Sequence, residues 1–370
     1  MISTDVVVIG GGAAGLHAAN EAAKCGAQVH LIDENHRPGG QLFKQIHKFF
    51  GSHRHYAGIR GYSIGQQLLE ETAANGVNVL LNAYVYELAA NQIGVVQDNS
   101  TMDWLRAKAI ILCCGASEKM IMFPGWTLPG VMGAGAAQTL INVHRVLPGK
   151  KFLMVGSGNV GLVVAYQILQ AGGEVVAILE ALPHVGGWQV HAAKVQRLGV
   201  PFQLSHSIQA ASGNGRVQSA TIVALDEHWQ MLPGSQQQID VDVICVAAGL
   251  KPNIELPVMA GCDTLFLTAL GGRVPIHDEN METTQPGIYV AGDCAGVEEA
   301  STAIESGRLA GIAAAEQLGY IPQHEASTMK RQIHEVLQEL RAGPFGVERI
   351  QAKQLLHQRA QNQRNKGEAS

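Results

Sequence analysis

At 370 residues, 46% hydrophobic and only 15% charged, with 43 glycines, the chain has the mass for two or three domains with large cores and many tight turns. A formal charge of -5 gives no electrostatic case for nucleic acid, and no apolar run is long enough to span a bilayer. The N-terminus enters a strand pattern directly, without a basic segment and cleavable apolar stretch, so a cytoplasmic location is expected.

Residues 5–9 form an almost wholly apolar run, the signature of a strand covered on both faces. It leads into Gly10-Gly11-Gly12-Ala13-Ala14-Gly15, a dinucleotide-binding fingerprint. Gly10 permits the turn, Gly12 lets the backbone approach a pyrophosphate, and Gly15 lets the helix pack on the strand. A helix over 16–25 aims its amides at the phosphates. The next strand, 28–32, ends at Asp33, placed to accept hydrogen bonds from ribose hydroxyls. Then come Arg37-Pro38-Gly39-Gly40-Gln41-Leu42, a rigid turn that exposes amides, and a segment over 44–56 rich in histidine, lysine and aromatics. That segment reads either as a solvated loop with aromatic anchors or as a docking surface. His47, His53 and His55 lack the second ligand cluster that a metal site needs.

An apolar strand over 109–114 leads to Gly115-Ala116, and the proline- and glycine-rich stretch 124–135 reads as a crossing into another domain. The strand 152–155 opens a second fingerprint, Gly156-Ser157-Gly158-Asn159-Val160-Gly161, followed by a helix over 159–171 and a strand over 174–179 ending at Glu180. A carboxylate there favours a free ribose 2′-hydroxyl, so a nicotinamide nucleotide in this lobe would be NAD rather than NADP. The sequence leaves three occupants open: NAD(H), another adenine nucleotide, or none. Pro252 marks the return crossing, and the tail reads as helices over 325–341 and 349–364 with a break at Gly343-Pro344. The tail is either a cap on the core or a partner-binding arm.

The six cysteines, Cys25, Cys113, Cys114, Cys245, Cys262 and Cys294, form no CxxC or CxxxxC pair. They read as small buried hydrophobes in a reducing compartment. No residue announces itself as a nucleophile, and the catalytic groups stay unassigned; no metal site is expected.

These motifs resemble the thioredoxin-reductase-like flavoproteins, which carry two dinucleotide-binding domains. The stretches 33–45, 113–141 and 156–180, above all FPGWTLPGV at 123–131, are similar to the FAD/nucleotide-binding subunit of multi-subunit dye-linked amino-acid dehydrogenases. That group includes L-proline and D-hydroxyproline dehydrogenases, opine oxidases and hydrogen cyanide synthase. The resemblance implies an α/β fold with two Rossmann-like domains, the second inserted in the first. The FAD domain would span 1–118 and 256–322, the NAD-type insert 119–255, and a helical tail 323–370. The implied FAD contacts are Gly10, Gly12, Ala13, Ala14, Gly15, Asp33, Glu34, Arg37, Gly39, Gly40, Gln41, Leu42, Val85 and Gly115, with Gly292 and Asp293 on the ribityl chain. Ser301, Thr302 and Ala303 would open a helix aimed at the pyrimidine side of the flavin, where its dipole favours negative charge. Gly156, Gly158, Asn159, Gly161 and Glu180 would take NAD or another adenine nucleotide.

The resemblance further implies a hetero-oligomer, with an amino-acid-oxidase-like flavoprotein partner and a small iron–sulfur protein. Many relatives hold an iron–sulfur cluster in a cysteine-rich C-terminal domain, but no cysteine follows Cys294 here, so any cluster would belong to a partner. The expected role is electron transfer within such an assembly. The alternatives are a stand-alone NADH:acceptor oxidoreductase and a scaffold with structural nucleotides.

Overall fold

The computed structural model describes residues 2–89, 91–343 and 346–368; the expected break at Pro344 falls outside them. The chain forms two compact units, one from 1–117 with 251–370 and one from 118–250. The fold is the α/β pair of Rossmann-like domains that the motifs imply, the second inserted in the first.

The first unit begins with β1 (Ile2–Ile9), α1 (Ala13–Lys24), β2 (Val29–Ile32) and, after a helix and a short hairpin, β3 (Thr101–Leu112). Val6, Val7 and Val8 of β1 are fully buried. Each such aliphatic side chain stabilises the fold by roughly 1.5–3 kcal/mol. Strand β3 is twelve residues long and pairs with different neighbours of one seven-stranded sheet along its two halves. Its residues 101–106 pair antiparallel with 92–97. Its residues 109–112 lie parallel to 6–9 of β1. Cys113 and Cys114, expected at the end of this strand, fall just beyond it.

The second unit contains β4 (Lys151–Val155), α2 (Asn159–Gln170), β5 (Glu174–Glu180) and β6 (Val243–Val246). These strands lie in a five-stranded parallel sheet, accompanied by a three-stranded antiparallel one. The stretch 125–135, expected to be the crossing, belongs inside this unit. Gly125, at φ +82°, presses against the Ala211 carbonyl, and 131–133 is an edge strand on β6. Its prolines and glycines imitate a linker because they serve tight turns.

Back in the first unit, β7 (Ile288–Val290) pairs with 110–112 of β3. Then come α3 (Ala300–Gln317), α4 (Gln323–Arg341) and α5 (Val347–Glu368). Helix α3 packs on α1 through Gly307 and Gly311, where a Cβ would lie 2.1 and 2.4 Å from the carbonyl oxygens of Ala14 and Ala18. Contacts that advance four residues on both helices make them parallel, so both N-termini face the same end of the unit. The tail clusters with this unit. Ala326, Ile333 and Leu337 join its main core, and Ala352, Leu356 and Ala360 form a smaller one with Leu270, Val274 and Ile276. Among the described residues, no helix is long and apolar enough to cross a membrane.

Candidate FAD and nucleotide sites

In the first unit, Asp33 holds the fingerprint together. Its Oδ2 accepts the Gly11 amide at 2.6 Å, and its Oδ1 accepts the backbone and side-chain amides of Asn35 at 2.8 and 2.9 Å. Gly12 begins α1 with no side chain capping it, and a Cβ on it would meet nothing within 4 Å. The first turn, at Ala13, Ala14 and Gly15, thus starts uncapped beside open space at Gly12, as a pyrophosphate site requires. Gly39 donates its amide to the Gly11 carbonyl at 2.6 Å, and a Cβ on Gly40 would come within 3.0 Å of Gly12 Cα. The double-glycine turn therefore lies directly over the fingerprint. Arg37 stacks its guanidinium 3.5 Å from the centre of the Phe43 ring. Gln41 is exposed, Leu42 is buried, and Glu34 lies on the surface. Val85 sits in the ladder 83–89, whose first amide, Ala83, donates to the Asp33 carbonyl.

The closing motif comes to the same end. The Gly292 amide donates to Ser306 Oγ at 2.9 Å, and Gly292 approaches Ala14 so closely that a Cβ would be 2.8 Å from the alanine's own. Thr302 donates to the Glu299 carbonyl at 2.6 Å within the first turn of α3, next to Ser301 and Ala303. Asp293 is half-buried and accepts one long bond, 3.5 Å from the Glu298 amide. Burial pushes its carboxyl up to about 6. A carboxylate so poorly supplied with donors, lining a pocket with Thr302 and Ala303, suits the hydroxyls of a ribityl chain. The residues present fit FAD. Gly115, at φ +68°, stands past the end of β3, where its added Cβ would meet nothing.

Sequence reasoning missed two features of this region. His55 is buried and 2.9 Å from Glu305 of α3, which also meets Arg308 at 3.0 Å and Arg54 at 3.5 Å. Arg308 continues to Glu21 on α1, and His17 lies 3.3 Å from the Tyr56 hydroxyl. The segment 44–56 is thereby tied to both helices, with His55 Nε2 hydrogen-bonded to Glu305. The second feature is the cluster of Arg341 and Lys353 around Glu298. The thiols of Cys113, Cys245 and Cys262 are all pushed up by burial, which suits space-filling and not nucleophilic roles.

In the second unit, Gly158 starts α2, likewise without a side-chain cap. Glu180 accepts the Ser157 amide at 3.0 Å, the Ser157 hydroxyl at 2.5 Å and the Leu182 amide at 3.0 Å. Gly186 and Gly187 stand six and seven residues after this acid, the spacing of Gly39 and Gly40 after Asp33. Gly187 packs over the start of α2, where a Cβ would lie 2.9 Å from the Asn159 amide nitrogen. Asn159, the first residue of α2, accepts the Trp188 amide on its Oδ1 at 2.8 Å. Gly156 and Gly161 meet each other closely, as their counterparts Gly10 and Gly15 do.

The family model for the pyridine nucleotide-disulphide oxidoreductases matches residues 4–307. The chain belongs to this family. Within it, a subunit of the opine oxidase of Agrobacterium tumefaciens is 31% identical over 352 residues, covering 89% of this chain and 69% of that one. Hydrogen cyanide synthase subunit HcnB of Pseudomonas aeruginosa is 27% identical and covers 93% of this chain and 77% of its own length. These relatives bear out the resemblance to subunits of multi-subunit oxidases. A thioredoxin reductase from T. acidophilum shares the fold at a TM-score of 0.70 and 20% identity, over 86% of this chain and 99% of that one. As a pyridine nucleotide-disulphide oxidoreductase family member, the chain is an FAD-dependent oxidoreductase, though its sequence carries no CxxC or CxxxxC pair.

Proposed function

We propose that the chain is the FAD-holding, electron-transferring subunit of a cytoplasmic, hetero-oligomeric amine or amino-acid dehydrogenase. The observation that carries this reading is its similarity, along 89% and 93% of its length, to one subunit of an opine oxidase and one of a hydrogen cyanide synthase. Bound FAD supplies a two-electron acceptor that can be reoxidised by another carrier. The first-turn amides of α1 bind the pyrophosphate, Asp33 the ribose, and Asp293 the ribityl hydroxyls. The double-glycine turn at Gly39 and Gly40, held over Gly11 and Gly12, would cover the bound dinucleotide there. In the second unit, Glu180 selects a free ribose hydroxyl, and NAD(H) is the nucleotide proposed there. The partners are an amino-acid-oxidase-like flavoprotein that oxidises the substrate and a small iron–sulfur protein.

The test is an anaerobic titration of the purified chain with NADH, read by visible absorbance. Bleaching of the flavin band near one equivalent is expected. A flavin that remains oxidised removes NAD(H) from the second unit and makes the partner subunits the electron source. A second reading, an NADH:acceptor oxidoreductase that works alone, draws support from the complete second fingerprint. It requires steady turnover of NADH with a dye by the isolated chain, together with no stimulation by a candidate partner.

A further inference from the structure

The pocket beside Asp293 is not built from the closing motif alone. Its lining includes Asp293 and Thr302, but also His334 and Arg341 from α4 and Lys353 and His357 from α5. The register of α5 explains how a lysine comes to be inside. Ala352, Leu356 and Ala360 recur every four residues and are buried. Lys353 and His357 stand one position further round the same face. Docking that stripe carries the ammonium inward, and Lys353 is left 6% exposed.

Once inside, Lys353 Nζ donates to the Ala295 carbonyl at 2.8 Å and lies 3.4 Å from His277 Nε2. The Glu298 carboxylate is 3.9 Å away. That carboxylate is already taken by Arg341, whose Nε and second terminal nitrogen donate at 2.7 and 2.8 Å in the two-pronged arrangement a guanidinium favours. Arg341 and Glu298 therefore neutralise each other and fix the turn between Asp293 and α3. Lys353 shares that carboxylate with Arg341 from 3.9 Å and lines the pocket beside Asp293.

We infer that Lys353 is the cation the C-terminal tail supplies to the pyrimidine end of the flavin, and that Arg341 is a positioning residue acting through Glu298. This rests on the FAD reading of the first unit. The groups around Lys353 come from every packed element: Asp293 and Glu298 ahead of α3, Arg341 and His334 on α4, His277 and Glu279 ahead of β7, and His357 on α5 itself. The histidines add no charge, because burial holds His277 well below its ordinary value, lowers His334, and lowers His357 to about 4. Burial lowers Lys353 as well, to about 8. Bound FAD would gain negative charge on reduction, and an ammonium held at Lys353 would favour that reduction. A lysine kept in such a place costs stability that an apolar side chain would not, which is the pattern of a functional residue.

The experiment compares the full chain, loaded with FAD, as wild type, Lys353→Met, Lys353→Gln and Lys353→Arg. The flavin midpoint potential and the melting temperature of the flavin-free protein are read for each. Lys353→Met is expected to lower the potential by about 30 mV or more, a tenfold shift toward the oxidised form, and Lys353→Arg to restore most of it. The flavin-free Lys353→Met protein should melt no lower than wild type. Lys353→Gln keeps a donor for the Ala295 carbonyl, and the same drop is expected of it should methionine disturb the fold. An unchanged potential in the neutral variants, with a lower melting temperature, overturns the inference and leaves Lys353 a packing residue. A wild-type chain that takes up no FAD sinks the flavin reading itself, a result plainly different from the first.

Discussion

The two fingerprints part company at their second residue. In the first unit Gly11 donates its amide to Asp33, and a Cβ there would come within 2.8 Å of that carboxylate and 3.0 Å of Pro38. In the second unit the place belongs to Ser157, and both its amide and its hydroxyl donate to Glu180. The Gly186 amide then donates to the serine hydroxyl at 2.9 Å. One extra methylene in the acid makes room for a side chain, and that side chain takes over the holding of the double-glycine turn. In the first unit the same turn hangs on a main-chain bond from Gly39 to Gly11. The same device is thus built once from backbone and once from side chains. Only the second version can be retuned by single substitutions without disturbing the strand.

The largest expected effect comes from closing either helix–strand contact. At Gly15 a Cβ would sit 1.8 Å from the Gly10 carbonyl oxygen, and at Gly161 it would sit 2.3 Å from that of Gly156. Neither backbone can yield. Gly15→Ala is expected to purify without flavin, whereas Gly161→Ala keeps a full flavin spectrum and is no longer bleached by NADH. Loss of flavin from Gly161→Ala would show that the two sites do not work independently.

Next in size is Asp293→Ala, which removes a charged acceptor and should weaken FAD binding by about 1.5–3 kcal/mol, or roughly 10- to 150-fold, in a fluorescence titration of the flavin-free protein. The same residue gives a pH dependence. Without ligand its carboxyl stands at about 6, and hydroxyl donors favour the ionised form, so binding strengthens as pH rises from about 5 to 7. Asp293→Asn should flatten that slope; a slope that survives would place its origin in another group.

Smaller again is Glu180→Ala, expected to reduce the preference for NADH over NADPH while leaving the flavin in place. Equal selectivity before and after would remove Glu180 from the ribose site. The smallest effect is expected of Ser157→Gly, which gives the second fingerprint the chemistry of the first. It should leave flavin and nucleotide selectivity in place and cost about 1.5 kcal/mol of stability, through the lost hydroxyl bonds, seen as a modest fall in melting temperature. A large fall would mean that the turn at 186–188 depends on the hydroxyl alone.

What the sequence made legible was local. Both fingerprints, Asp33, Glu180 and the closing motif at Gly292-Asp293 are set by spacing within a few dozen residues, and each lies where its spacing implies. The repeat of the double-glycine turn at Gly186 and Gly187 was equally open to reading, since it stands at the same distance from its acid. What stayed hidden is held by partners far apart in the chain. His55 and Glu305 are 250 residues distant, and nothing in either neighbourhood names the other. Lys353 gave a faint signal, a lysine beside an apolar stripe of period four, but the cavity it enters is made by residues of other elements. The stretch 125–135 misled because turn-forming glycines and prolines carry the same composition as a linker.

The seam between α1 and α3 sets the order in which this protein can be made. Ala14 and Ala18 leave the ribosome early, yet Gly307 and Gly311, which cover them, are synthesised after the whole second unit. The second unit can close on itself in the interval, while the apolar side of α1 waits. Contacts of such long sequence separation slow folding and lengthen the exposure of that surface. A nascent chain halted after residue 250 therefore carries one finished unit and a sheet with six of its seven strands, its α1 face still uncovered, with Asp33 in place and Asp293 not yet made.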